Sequence, residues 1–207
     1  MSRSTSASPQ TRTTSRYRWR VVDIVVASII AVASALIFYV WNFGYELPKA
    51  LIEPLLPGLG ALVNGPWFLA AILAGLVVRK PGAALYAEIV AASISALLGN
   101  QWGWATVEAG LVQGLAAEIV FAVVLYRIWS LPVAVLAGAA SGLACGINDR
   151  VVWYPGYGTA WTTGYIVCST ISGAVLAGAL GWLIVRGLAQ TGALSRFASG
   201  REATRRV

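Results

Sequence analysis

The sequence predicts an all-α membrane protein, a bundle of six transmembrane helices with the N and C termini in the cytoplasm. Of its 207 residues, 58% are hydrophobic and 11% charged, against about 45–50% and about 25% in soluble domains. Six apolar segments recur near the ~20-residue length that crosses a bilayer. Threading the chain through six crossings also sorts its basic residues to one side.

Residues 1–20 carry five Arg and no acid and read as a disordered basic cytoplasmic tail that anchors the first helix by charge. The first crossing is expected over 22–41. Ala33-Ser34-Ala35 resembles a signal-peptidase site, but apolar sequence continues through Val40, so the segment reads as a retained helix. Residues 42–58 hold Phe43, Tyr45, Pro48, Pro54 and Pro57, which predicts a kinked, partly helical outer connection. The second crossing spans 59–78 and ends at the tight link Arg79-Lys80-Pro81-Gly82.

The third crossing, 83–98, is short and leads into Gly99-Asn100-Gln101-Trp102-Gly103-Trp104. The fourth runs over 107–126, followed by a tight link to Ser130. The fifth, 131–147, is also short. The connection 148–163 gathers Trp153, Tyr154, Tyr157 and Trp161 around a Pro155-Gly156 turn signal. The sixth covers 164–185. The transmembrane domain is thus 21–186, and 187–207 is a cytoplasmic tail.

Charge supplies the topology. The N-terminal tail, Arg79, Lys80, Arg127 and the C-terminal tail place 13 basic residues on one side, leaving Lys49 and Arg150 on the other. The richer side is cytoplasmic by the positive-inside rule. The net charge of +7 is confined to the tails, which removes the case for a nucleic-acid partner.

Several chemistries are excluded. The chain has no histidine, so zinc sites and histidine-based triads fall, and no resident metal or cofactor is expected. Cys145 and Cys168 lack paired-ligand spacing and read as free, small hydrophobes. Lys49 and Lys80 lie outside any G-x-x-x-x-G-K-[ST] loop, so energy for moving a solute would come from elsewhere.

Three glutamates lie in apolar segments: Glu88, Glu108 and Glu118. An acid at a helix centre costs about 2.5–3.5 kcal/mol on insertion scales and faces a bundle interior. Glu118 falls roughly 15 Å along its helix from Glu108, near the midplane, and Glu88 is expected at similar depth. Gly110, Gly114 and Glu118 share a small-residue face that admits a neighbouring helix. Gln113 projects about 140° from Glu118, so both reach one site only if it is a wide cavity. Glu118 could equally serve packing alone.

Six tryptophans fall outside and three inside, an asymmetry that favours an outward aromatic site over a plain interfacial belt. Aromatic faces with carboxylates suit a flat, cationic or amide-rich ligand. Small residues also repeat every four positions at Ala27, Ala31 and Ala35, at Gly138, Gly142 and Gly146, and at Gly173 and Ala177. The glycine faces read as internal packing, and the alanine stripe could meet a partner subunit.

Several blocks of the chain resemble, in order, the YkoE-type substrate-binding (S) components of energy-coupling factor (ECF) transporters. They are Arg79-Lys80-Pro81-Gly82-Ala83-Ala84-Leu85 followed by Glu88, Leu97-Leu98-Gly99-Asn100, Val112-Gln113-Gly114-Leu115 with Ala117-Glu118, and Ile171-Ser172-Gly173-Ala174 with Leu176-Ala177-Gly178. The resemblance covers about residues 20–195. It implies a six-helix protein of the bacterial plasma membrane that captures thiamine or its hydroxymethylpyrimidine precursor from outside. Its partners would be a transmembrane coupling subunit and cytoplasmic ATPase subunits. Ala27, Ala31 and Ala35 match the family's coupling-subunit stripe. Ligand-binding residues carried over are Glu88, Asn100, Trp102, Gln113, Glu118 and Asp149, with Trp104, Glu108, Trp153 and Tyr157 as secondary candidates. Read without the family, the chain could also be a membrane enzyme using Glu88 and Glu118 as an acid/base pair, a passive channel, or a packing subunit.

Overall fold

A run of 24 residues with neither proline nor interior glycine carries the first helix, α1 (Val21–Gly44). The structure, a computed structural model, describes residues 17–195, 197, 199 and 200. Most of the expected N-terminal tail and residues 201–207 lie outside the described residues. Arg20 pairs with Asp23 at 2.8 Å and closes a capping box at the start of α1. The connection 42–58 is partly helical: α2 (Glu46–Ile52) runs into a 3-10 turn, Glu53–Leu55.

The second apolar segment is not one helix. Two 3-10 turns, Leu59–Val63 and Gly65–Phe68, precede α3 (Leu69–Val78). Pro66 and the glycines at 58, 60 and 65 interrupt the i→i+4 ladder that a continuous helix needs. Arg79 ends α3 in the left-handed region at φ 58°, and Gly82 at φ 84° turns the chain into α4 (Ala83–Leu97).

Helix α5 spans Ala105–Val123 and stops where Leu125 and Tyr126 both adopt φ 53°. Helix α6 (Leu131–Val152) opens on Ser130 with a proline in its first turn. It runs five residues past its expected end, so Asn148, Asp149 and Arg150 sit on a helix and not in a loop. Helix α7 (Thr159–Ser172) passes through a π-helical stretch, Gly173–Ala179, into α8 (Leu180–Gln190). The first residues of the expected C-terminal tail are therefore helical.

Among the described residues all regular structure is helical. Val21–Gly44, Ala105–Val123, Leu131–Val152 and the continuous path Thr159–Gln190 are long and apolar enough to cross a membrane; Gly65–Val78 and Ala83–Leu97 are apolar but shorter. Packing is close. A Cβ on Gly138 would strike the carbonyl of Gly173, and one on Gly142 the carbonyl of Ser169, so α6 and the α7–π path meet backbone to backbone. Ala31 and Ala35 of α1 pack with Ala70, Ala74, Ala87 and Ala91, and Ala27 with Val78 and Ala83. All three stripe alanines are fully buried. That corrects the expectation that Ala27, Ala31 and Ala35 meet a coupling subunit, because α3 and α4 occupy the face they present.

Candidate ligand-binding cavity

A cavity of about 260 Å³ lies at the end of the bundle where α2, the link 98–104 and the turn after α6 gather. It is just below the range of about 300–1,000 Å³ of small-molecule sites. Its deep wall is built by α4 and α5, which the glycine face of α5 brings together. A Cβ on Gly114 would stand 2.8 Å from Glu88 Cβ, and one on Gly110 2.6 Å from Ala92 Cβ. The close approach sets Glu88 and Gln113 on the same cavity.

Glu88 is fully buried. Its Oε2 accepts the Ala71 N–H at 2.6 Å, whereas Oε1 is buried with no hydrogen-bond partner among the described residues. Leaving a buried acceptor unpaired costs about 1–3 kcal/mol, and a donor from a bound molecule would recover it. Opposite lies a polar network. Asn64 Nδ2 donates to Tyr165 Oη at 3.2 Å and to Ser169 Oγ at 3.3 Å. Asp149 Oδ2 accepts from Tyr165 Oη at 2.7 Å and from the Cys145 thiol at 3.4 Å. Asn64, Cys145, Asp149 and Tyr165 all line the cavity.

Two aromatic groups form its upper walls. Tyr45, Trp67 and Trp102 pack edge to face or tilted, with ring centroids 5.1–5.6 Å apart. Trp67 is held by donating its indole N–H to Asn42 Oδ1 at 2.8 Å. On the other side Tyr154 contacts Tyr165 at 5.4 Å, backed by Trp161 stacked on Tyr165 at 4.8 Å. Burial pushes the phenols of Tyr45 and Tyr154 up to about 12, so both remain neutral donors near pH 7. Over this wall Glu53 Oε1 accepts the Trp161 indole N–H at 2.9 Å while Oε2 accepts the Gly60 N–H at 2.7 Å.

The structure brings Glu88, Trp102, Gln113, Asp149 and Trp153 to the cavity. Asn100 stands behind it: Oδ1 accepts from the Trp102 N–H and the Thr106 hydroxyl, both at 3.0 Å, and Nδ2 donates to Ser95 Oγ at 3.2 Å. It shapes the turn that presents Trp102. Trp104 is 70% exposed, Glu108 accepts from Asn148 on the surface, and Tyr157 packs outside the wall on Tyr154 and Trp161.

Glu118 is not at the cavity. Its carboxylate accepts the N–H groups of Gly82, Ala84 and Leu85 at 2.7–3.2 Å and the Tyr126 hydroxyl at 2.7 Å. It caps the start of α4 from the neighbouring helix, where four otherwise unpaired N–H groups need acceptors. This corrects the expectation of a shared deep site with Glu88. The 140° separation of Gln113 and Glu118 is realised as two destinations, one facing the cavity and the other the turn at Gly82.

Sequence reasoning missed Asn42, Lys49, Asn64, Trp67 and Tyr165, all on the cavity. Asn64, between two 3-10 turns in the apolar second segment, offered a signal: a buried amide in such a segment needs partners.

A family model described as the permease component of an ABC-type cobalt transport system matches residues 22–144. YkoE of Bacillus subtilis (strain 168), named as an HMP/thiamine permease protein, is 37% identical over 185 residues, 89% of this chain and 92% of that protein. A crystal structure described as an S-component of an ECF transporter superposes with a TM-score of 0.83 at 36% identity, covering 91% of this chain and 95% of its own.

Proposed function

Because the chain belongs to the family of S components of ECF transporters, we propose that its cavity captures an aminopyrimidine, hydroxymethylpyrimidine or thiamine, as the substrate-binding subunit of a vitamin importer. The observation that carries this reading is Glu88 Oε1, buried without a partner among the described residues on an aromatic-walled cavity. An aminopyrimidine offers an exocyclic amine to such an acceptor, and its flat ring fits between Trp67, Trp102 and Tyr154. Gln113 and Asp149 supply further hydrogen-bonding groups. The thiazolium of thiamine would be held by the aromatic faces. The lining offers rings, amides and carboxyls without histidine, which suits an organic ring better than the metal in the family model's description.

In this reading the chain crosses the bacterial plasma membrane six times, the two short apolar helices included, with both termini and 13 of 15 basic residues in the cytoplasm. The cavity then opens outward. A coupling subunit and ATPases supply the energy, since this sequence carries no P-loop.

Calorimetry on the purified chain with hydroxymethylpyrimidine, thiamine, riboflavin and biotin tests the reading. Saturable binding of one of the first two, competed by the other, is expected. Absence of binding by both would overturn it.

A further inference from the structure

A second cavity, of about 480 Å³, lies at the opposite end of the bundle. Leu131 at the start of α6 lines it, and Asp149, 18 residues on, lines the first, a separation of roughly 27 Å along the helix. Arg79, Arg127 and Arg186 surround it, and among the described residues no carboxylate lines it. Leu76, Val185 and Ala189 form a buried floor. The Arg79 guanidinium lies 5.3 Å from the Trp129 ring centre, and that of Arg186 5.2 Å from Trp182. The Trp182 indole N–H donates to the Trp129 carbonyl at 3.4 Å, linking the two aromatic sides.

The described non-glycine residues with positive φ all gather here. Arg79 lines the cavity, and Leu125 and Tyr126 directly precede Arg127. Backbone held in a sparsely populated region is concentrated where position matters for function. Beside the arginines, Ile128 and Leu131 are 51% and 39% exposed, so a cationic rim borders an apolar flank. The vitamin-binding reading uses these arginines only to set the topology.

We propose that this cavity binds a phosphate ester. The phosphate is held by the guanidinium groups of Arg79, Arg127 and Arg186, and the apolar part of the ester lies along Trp129, Ile128 and Leu131. An anionic phospholipid headgroup and a soluble phosphate monoester share this chemistry. Basic pockets between membrane helices take anionic headgroups by the same combination of charge and apolar flank.

The test uses the full chain in detergent micelles. Quenching of tryptophan fluorescence is titrated with brominated phosphatidylglycerol and with brominated phosphatidylcholine, and glycerol 3-phosphate is added as the soluble arm. Each guanidinium contributes roughly fivefold to binding of an anionic headgroup. The double variant R127Q/R186Q changes two exposed rim residues and should lose on the order of twenty-fold in affinity. Its binding of hydroxymethylpyrimidine in the other cavity reports that it is folded. Preference for phosphatidylglycerol that the variant loses supports a lipid ligand. Arginine-dependent protection by glycerol 3-phosphate alone supports a soluble one. Equal quenching by both lipids, unchanged in the variant and without an effect of glycerol 3-phosphate, overturns the proposal.

Discussion

Glu88 Oε2 accepts the backbone N–H of Ala71 at 2.6 Å, fixing a carboxyl of α4 against α3 while its second oxygen has no partner among the described residues. One oxygen is structural and the other is available to a ligand. Glu88→Gln keeps the volume and an oxygen for Ala71 but weakens acceptance from a ligand amine. Leaving a buried donor of the ligand without its acceptor costs about 1–3 kcal/mol, so aminopyrimidine affinity should fall roughly 5- to 100-fold, read by calorimetry. Unchanged affinity would remove Glu88 from the site.

Glu118→Ala should do the reverse. It strips acceptors from three N–H groups at the start of α4 and from the Tyr126 hydroxyl, at a cost of about 2–3 kcal/mol. A lowered thermal midpoint with ligand affinity within threefold of wild type is the expected result. A large loss of affinity at unchanged stability would return Glu118 to the binding residues.

The two tryptophans of the 98–104 link should separate cleanly. Trp102 lines the cavity and packs on Tyr45 and Trp67, whereas Trp104 is 70% exposed. Trp102→Ala is expected to cost about 1.4 kcal/mol of binding, roughly tenfold, and Trp104→Ala nothing measurable. Equal effects would argue against the aromatic wall.

Backbone contact between α6 and the π stretch makes Gly138 intolerant. Gly138→Ala places a methyl on the Gly173 carbonyl and 2.7 Å from the Gly178 nitrogen, and overpacking of this kind costs about 1–3 kcal/mol. Gly187→Ala on α8, with nothing within 4 Å, is the control and should hold or gain stability. Thermal denaturation of the two variants side by side checks the contrast.

What was legible follows from the range of each signal. Helix α1 and the end of α4 were readable because long apolar runs bounded by loops depend on local sequence alone. The packing faces of α5 and α6 were readable from glycine spacing. The second apolar segment was not read as 3-10 turns, since hydropathy is blind to the interruption that Pro66 and its glycines make. Asp149 and Gln113 come from the family resemblance and not from spacing or hydropathy. Glu118 and Ala27 were misplaced for one reason: an acid or a small residue inside an apolar helix states that something approaches closely, and not what. For Glu118 it is the start of α4; for Ala27, Ala31 and Ala35 it is α3 and α4. Asn64, Trp67 and Tyr165 meet only through tertiary approach, which one-dimensional spacing does not encode.

The shortness of α4 has a consequence for the bilayer. Fifteen residues rise about 22 Å, against a hydrocarbon thickness of about 30 Å. In the proposed six-crossing arrangement α4 is one of the crossings, and such a mismatch would draw the lipid surface inward around it. The link that carries Trp102 follows the Leu97 end of α4. A dimple at that end would make the path from bulk water to Glu88 shorter than the thickness of the surrounding membrane.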